Sequence, residues 1–180
     1  MKGLQARMNV DPDMEDWLER LTREGIAPPL NNSRKMGILH SIFHEHGPVG
    51  TDEAAEILLD AMGRAVEALV TVSKDMSPHT RAMARITVGL DSGFPYLKYV
   101  DGWRHGDDLV FDSGDAGTLA QVADTVQEFL MEREHHVWPV CTAHHVGLHS
   151  QISGADAVWY CKTGGHVWRI GRLLTDQPDP

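Results

Sequence analysis

Apolar positions in the first third of the chain recur at helical spacing. Met14, Trp17, Leu18 and Leu21 fall at i, i+3, i+4 and i+7, one buried helical face. Asp11 and Pro12 supply a cap and a first-turn residue, and Gly25 suits a left-handed exit with Ile26 packing back on Leu21. Ala27-Pro28-Pro29 then breaks the chain. A second helix is predicted from Asn32 or Ser33 to Gly47-Pro48, with Met36, Leu39 and Phe43 as its stripe. A third starts at Thr51, with Asp52 and Glu53 in the turn where the helix dipole favours anions. Its core face is Ile57, Leu58, Ala61, Met62, Ala65, Leu69 and Val72.

After Ser77-Pro78 the period shortens to two. Ala84, Ile86, Val88 and Leu90 alternate, as do Tyr96, Lys98 and Val100 against Leu97 and Tyr99, with Asp91-Ser92-Gly93 and Asp101-Gly102 as turns. Leu109-Val110-Phe111 reads as a third short strand. Asp115 then caps a helix running through Leu119, Val122, Ala123, Val126, Phe129 and Leu130. Beyond it, Val137–Cys141 and Ala157–Cys161 read as two strands ending in cysteine, and Gly164-Gly165 turns the second into His166–Ile170. The predicted class is α+β. A helical region covers 1–76, a β-β-β-α core 77–135, a Cys/His hairpin 136–175 and a frayed tail 176–180.

Charge changes this picture in the middle. The formal net charge is −10. Residues 51–135 hold seven basic and sixteen acidic groups, whereas 136–180 hold three of each. Nucleic-acid affinity rests on basic groups that displace counterions, so no nucleic-acid partner is expected. No apolar run approaches the ~20 residues of a membrane span, and a charged N-terminus lacks a secretory core. The expected location is cytoplasmic, where two cysteines serve as free thiols or metal ligands rather than as a disulfide.

The sharpest constellation is Cys141-x2-His144 followed by Cys161-x4-His166. Zinc takes four soft or borderline ligands in a tetrahedron, and a tight turn presenting two of them is the usual way to supply half the set. The competing reading makes Cys141 and Cys161 small buried apolar residues beside exposed histidines. At these residues, in WPVC-TAHH and VWYC-KTGGH, the stretch from Val137 to about Leu173 resembles a zinc ribbon, and a hairpin tail of actinobacterial-type proteins. Ribbons carry two cysteines per knuckle. The resemblance therefore implies that a histidine replaces the second cysteine on each side, with His145 or His149 as alternatives to His144.

A second candidate metal pair is His40 and His44, four apart on one helical face, beside the alternative of solvated, dipole-compensating side chains. It would serve a metal-dependent, hydrolase-like enzyme. Asp107, Asp108, Asp112 and Asp115 could hold a hard cation, but are also ordinary turn and cap residues. The segment HGPVGTDEAAEILLDAMGRAVEAL resembles the opening helices of a winged helix-turn-helix, yet its reading helix offers only Arg64 toward base edges. With no acid, base and nucleophile that converge, the sequence reads as a binding or accessory protein with a zinc-bearing hairpin and a protein partner. Trp138, Trp159 and Trp168 either fill the small core of that neutral hairpin or mark it as the contact surface, for a partner chain or a second copy.

Overall fold

The computed structural model describes residues 11–26, 33–91, 94–104, 109 and 114–176. Helix α1 spans Pro12–Arg23, α2 Ser33–His46, α3 Thr51–Ser73 and α4 Pro78–Met83. Strands β1 (Ile86–Asp91) and β2 (Phe94–Tyr99) precede α5 (Gly114–Glu134). Strands β3 (His149–Ser153), β4 (Asp156–Tyr160) and β5 (Val167–Arg169) precede the short α6 (Leu173–Asp176). The α+β class holds. β1 and β2 form an antiparallel pair, and β3-β4-β5 form a separate antiparallel sheet.

Helix α1 forms as its punctuation dictates. The Asp11 side chain accepts from the Asp13 N–H, and the exit is a Schellman turn. In that turn Ile26 N–H donates to Leu21 C=O at 2.9 Å, with Gly25 at φ 105°. Met14, Trp17, Leu18 and Leu21 are all buried. They meet Ile38, Leu39 and Ile42 of α2, Ala54 and Leu58 of α3, and Phe94 of β2 in the smaller of two cores. The α2 stripe is thus rotated from expectation: Met36 and Phe43 are only half-buried and flank the core. The Trp17 indole seals this corner by donating to Val49 C=O at 2.7 Å.

The larger core joins the second half of α3, β2, α5 and the whole C-terminal module. Several expectations are corrected. The period of two does not follow directly on Ser77-Pro78, which starts a short helix because the Ser77 hydroxyl accepts from the Thr80 N–H, and Arg81 follows with a backbone bond to Ser77. The first strand therefore begins at Ile86 rather than Ala84. Leu109 is buried but in no strand, and Val110 and Phe111 lie outside the described residues. So do Ala27–Asn32, Ser92-Gly93 and Gln177–Pro180. Helix α5 starts at Gly114, which puts Asp115 inside its first turn instead of at its cap.

The C-terminal module departs most. Val137–Cys141 is not a strand. Its Trp138–Pro139 peptide is cis, Pro139 brings no ladder donor, and one isolated bridge joins Val140 to Gly147. Its place is taken by β3, a polar strand of four exposed residues around half-buried Ser150, whose apolar content gave no alternation to read.

One buried carboxylate ties this module to the helices. Asp75 lies just past the end of α3 and is 1% exposed. It accepts from the Trp159 indole at 2.7 Å, from Gly171 N–H at 2.6 Å and from Leu173 N–H at 2.7 Å. Gly171 sits at φ 89°, and a Cβ there would lie 2.6 Å from Thr71 Cγ2, so only glycine brings that N–H so close to α3. Burial pushes the Asp75 carboxyl above its ordinary range, and the three donors pull it back without cancelling the rise.

Asp75→Ala leaves three donors without their acceptor and is expected to destabilise the fold by about 1–3 kcal/mol for each donor that stays buried. Because the folded-state pKa is raised, the Asp75 contribution is full below the ordinary aspartate value. It falls as pH rises through the folded pKa. Denaturant unfolding of both proteins across acid to neutral pH should show the gap between them narrowing as pH rises. A gap that widens instead would contradict the direction.

Candidate metal centre

Two backbone turns of the same form face each other in the module. In the first, Cys141 N–H donates to Val146 C=O at 2.9 Å and His145 N–H to Cys141 C=O at 2.8 Å. In the second, Cys161 N–H donates to His166 C=O at 2.9 Å and Gly165 N–H to Cys161 C=O at 2.8 Å. The fifth residue of each is left-handed, His145 at φ 54° and Gly165 at φ 68°. Gly165 meets this requirement without strain, whereas His145 holds a conformation that L side chains visit sparingly.

The turns differ in where the imidazole is mounted. The first presents His144 from its fourth position, the second His166 from its sixth. The fourth position of the second turn is Gly164, and a Cβ there would lie 2.0 Å from His144 Cε1 and 2.8 Å from each ring nitrogen. The His144 ring thus fills the space that a fourth-position side chain of the opposite turn would need. Glycine at 164 and histidine at 166 form one arrangement: the ligand moves two residues along, and the vacated volume takes the partner's ring.

Cys141, His144, Cys161 and His166 bring one ligand atom each to within 4.8 Å of one another. His144 Nδ1 is 3.5 Å from both sulfurs, and His166 Nδ1 is 3.6 Å from Cys141 Sγ. Both cysteines are fully buried and free, and both histidines are half-buried. The bare-thiol reading required exposed histidines, but both rings turn inward. Burial raises the Cys161 thiol, and the N–H groups of Gly164 and Thr163 together with Cys141 Sγ outweigh it, holding the thiol below its usual range.

The surroundings hold the turns in place. Gln127 of α5, itself buried, donates through Nε2 to Trp138 C=O at 3.1 Å and Leu148 C=O at 2.7 Å, bracketing the first turn. Trp138 meets Trp159 edge to face at 5.3 Å, and Trp168 meets His166 the same way at 5.4 Å. Asp75 and Gln127 escaped the sequence reading, and Gly164 was read only as part of a flexible turn, not as the space that the His144 ring fills. A single polar residue in an apolar helix face was the only signal for Gln127, and nothing local marked Asp75.

The other candidates sit apart. His40 and His44 are adjacent on α2, with ring centroids 4.3 Å apart, and both are exposed. Among the described residues no third Cys, His, Asp or Glu joins them in a metal-sized group. His145 and His149 are exposed and outside the cluster. Asp107, Asp108 and Asp112 lie outside the described residues. In the helix-turn-helix-like segment, α3 runs unbroken from Thr51 to Ser73, and Arg64 pairs with Asp60 at 3.2 Å. No helix among the described residues is long and apolar enough to cross a membrane.

No protein-family model, curated protein or solved structure matches this chain.

Gly164→Ala is expected to push the His144 ring out of the cluster while leaving both sulfurs and His166 in place. Competition titration with a chromophoric chelator should show metal affinity reduced at least about tenfold, the scale on which support of a ligand matters. Wild-type affinity in this variant would show that His144 can turn aside and still reach the site.

Proposed function

We propose that this is a binding or accessory protein whose C-terminal module is organised by one structural zinc ion on Cys141, His144, Cys161 and His166. One observation carries the reading. Tetrahedral zinc with sulfur at ~2.3 Å and nitrogen at ~2.0–2.1 Å requires sulfur–nitrogen edges of about 3.6 Å. The three close sulfur–nitrogen separations are 3.5, 3.5 and 3.6 Å. The donor set suits the ion: two thiolates and two neutral imidazoles balance a divalent charge. That neutrality matches residues 136–180, where acidic and basic groups are equal in number.

Four protein ligands close the coordination sphere, which supports a structural role, since catalytic zinc keeps a position for water. A module whose strands have three to five residues gains most from such a centre, because its own apolar face is small. The strand face turned away from the core offers exposed Val167 and Arg169, the latter paired with Asp156 at 2.9 Å. Val137, Val140 and Val146 are also exposed in the module, and this reading assigns the contact with a protein partner to such residues and not to Trp138 and Trp159, which are buried in the core. The acidic middle of the chain argues against a phosphate backbone as that partner.

Protein purified without chelator is expected to carry about one zinc per chain, and X-ray absorption should show two sulfur neighbours at ~2.3 Å with two nitrogens at ~2.0–2.1 Å. Chelation should lower the melting temperature, and Cys141→Ser should reproduce that loss. A metal-free preparation with the same stability and unliganded buried thiols would refute the proposal.

A further inference from the structure

The outward face of α3 carries three large aliphatic side chains that stand open to solvent. Leu59, Val66 and Val70 are 61%, 42% and 54% exposed. Their spacing of seven and four residues places them on one side of the helix, opposite the buried Leu58, Ala61, Ala65, Ala68 and Val72. At the middle of this stripe stands Gly63, exposed and in helical conformation. A Cβ built there meets nothing within 4 Å. Glycine inside a helix costs about 1 kcal/mol relative to alanine, and nothing described within the chain requires it here. What a glycine at that point provides is room for another backbone to come close.

One edge of the stripe is acidic. Glu56, Asp60 and Glu67 are exposed along it, with Asp52 and Glu53 continuing it at the first turn. Arg64 is the one basic residue of α3, and it is paired with Asp60. A second copy of α3 laid antiparallel across this face would set these carboxylates against one another. An apolar seam with an acidic border instead complements a helix with an apolar stripe and a basic border.

We propose that this face of α3 is a docking site for a cationic amphipathic helix of a partner protein, packed across Gly63 with its apolar side on Leu59, Val66 and Val70 and its lysines or arginines toward Glu56 and Glu67. The site lies on the opposite side of α3 from the core that holds the Cys/His module, and it does not depend on a metal there.

The test uses the full chain and a synthetic helical peptide of about 18 residues, leucines on one face and lysines flanking them, followed by fluorescence anisotropy. The expected result is saturable, salt-sensitive binding that is absent for the same peptide with glutamate in place of lysine. Gly63→Leu should raise the melting temperature, because leucine is the better helix former, and yet weaken binding about tenfold or more. The pair Glu56→Lys and Glu67→Lys should weaken it to a similar degree with the fold intact. The proposal is overturned if the lysine peptide does not bind, or if either variant binds it as the wild type does. It is overturned equally if sedimentation shows a dimer of this chain that Gly63→Leu abolishes.

Discussion

The carboxylate of Asp75 fixes how the two halves of the molecule meet. It sits where α3 has just ended, and its acceptors reach an indole 84 residues away and two backbone N–H groups 96 and 98 residues away. Burying it is unfavourable in itself, as the raised pKa records. The fold tolerates that because nonpolar alternatives at this point would orphan two backbone donors and the Trp159 indole. Specificity comes with the penalty: a hydrophobic contact could slide along α3, whereas three directed bonds to two oxygens admit one register.

Gln127 does for the first Cys/His turn what Asp75 does for the strands. Its amide joins α5 to the carbonyls on either side of that turn. The cluster of sulfur and nitrogen atoms is therefore built on two rigid helices through polar anchors, with the aromatic pair Trp138 and Trp159 packed between. Each of its turns is short and shaped by one left-handed residue. Convergence of the four donors is a property of the whole module, not of either turn alone.

What could be read from the sequence was what is local. α1 was legible in full because its cap, its periodic face and its glycine exit all lie within a few residues. The four cluster residues were legible as a set because cysteine and histidine are chemically conspicuous. The choice of His144 over His145 was not, since it turns on a backbone φ. The helix at Pro78–Met83 was lost because Ser-Pro reads equally as turn and as N-cap. β3 was lost because its polar residues gain their place by pairing with β4 and not by alternation. Asp75, Gln127 and Gly164 depend on neighbours far along the chain. A lone acid after a helix, a glutamine in one and a doubled glycine each have commoner local meanings.

The long span of the Asp75 clasp bears on how the chain acquires its shape during synthesis. The smaller core draws on residues from Met14 to Phe94 and can close while later segments are still being made. Asp75 emerges with it, but its backbone partners Gly171 and Leu173 follow by 96 and 98 residues. Until then the end of α3 carries a solvated carboxylate, and the apolar flank of Ala65, Ala68 and Val72 first waits for α5, against which α3 packs. A nascent chain of this protein therefore passes through a half-assembled stage with a sticky helix flank, held open by the order in which its residues appear.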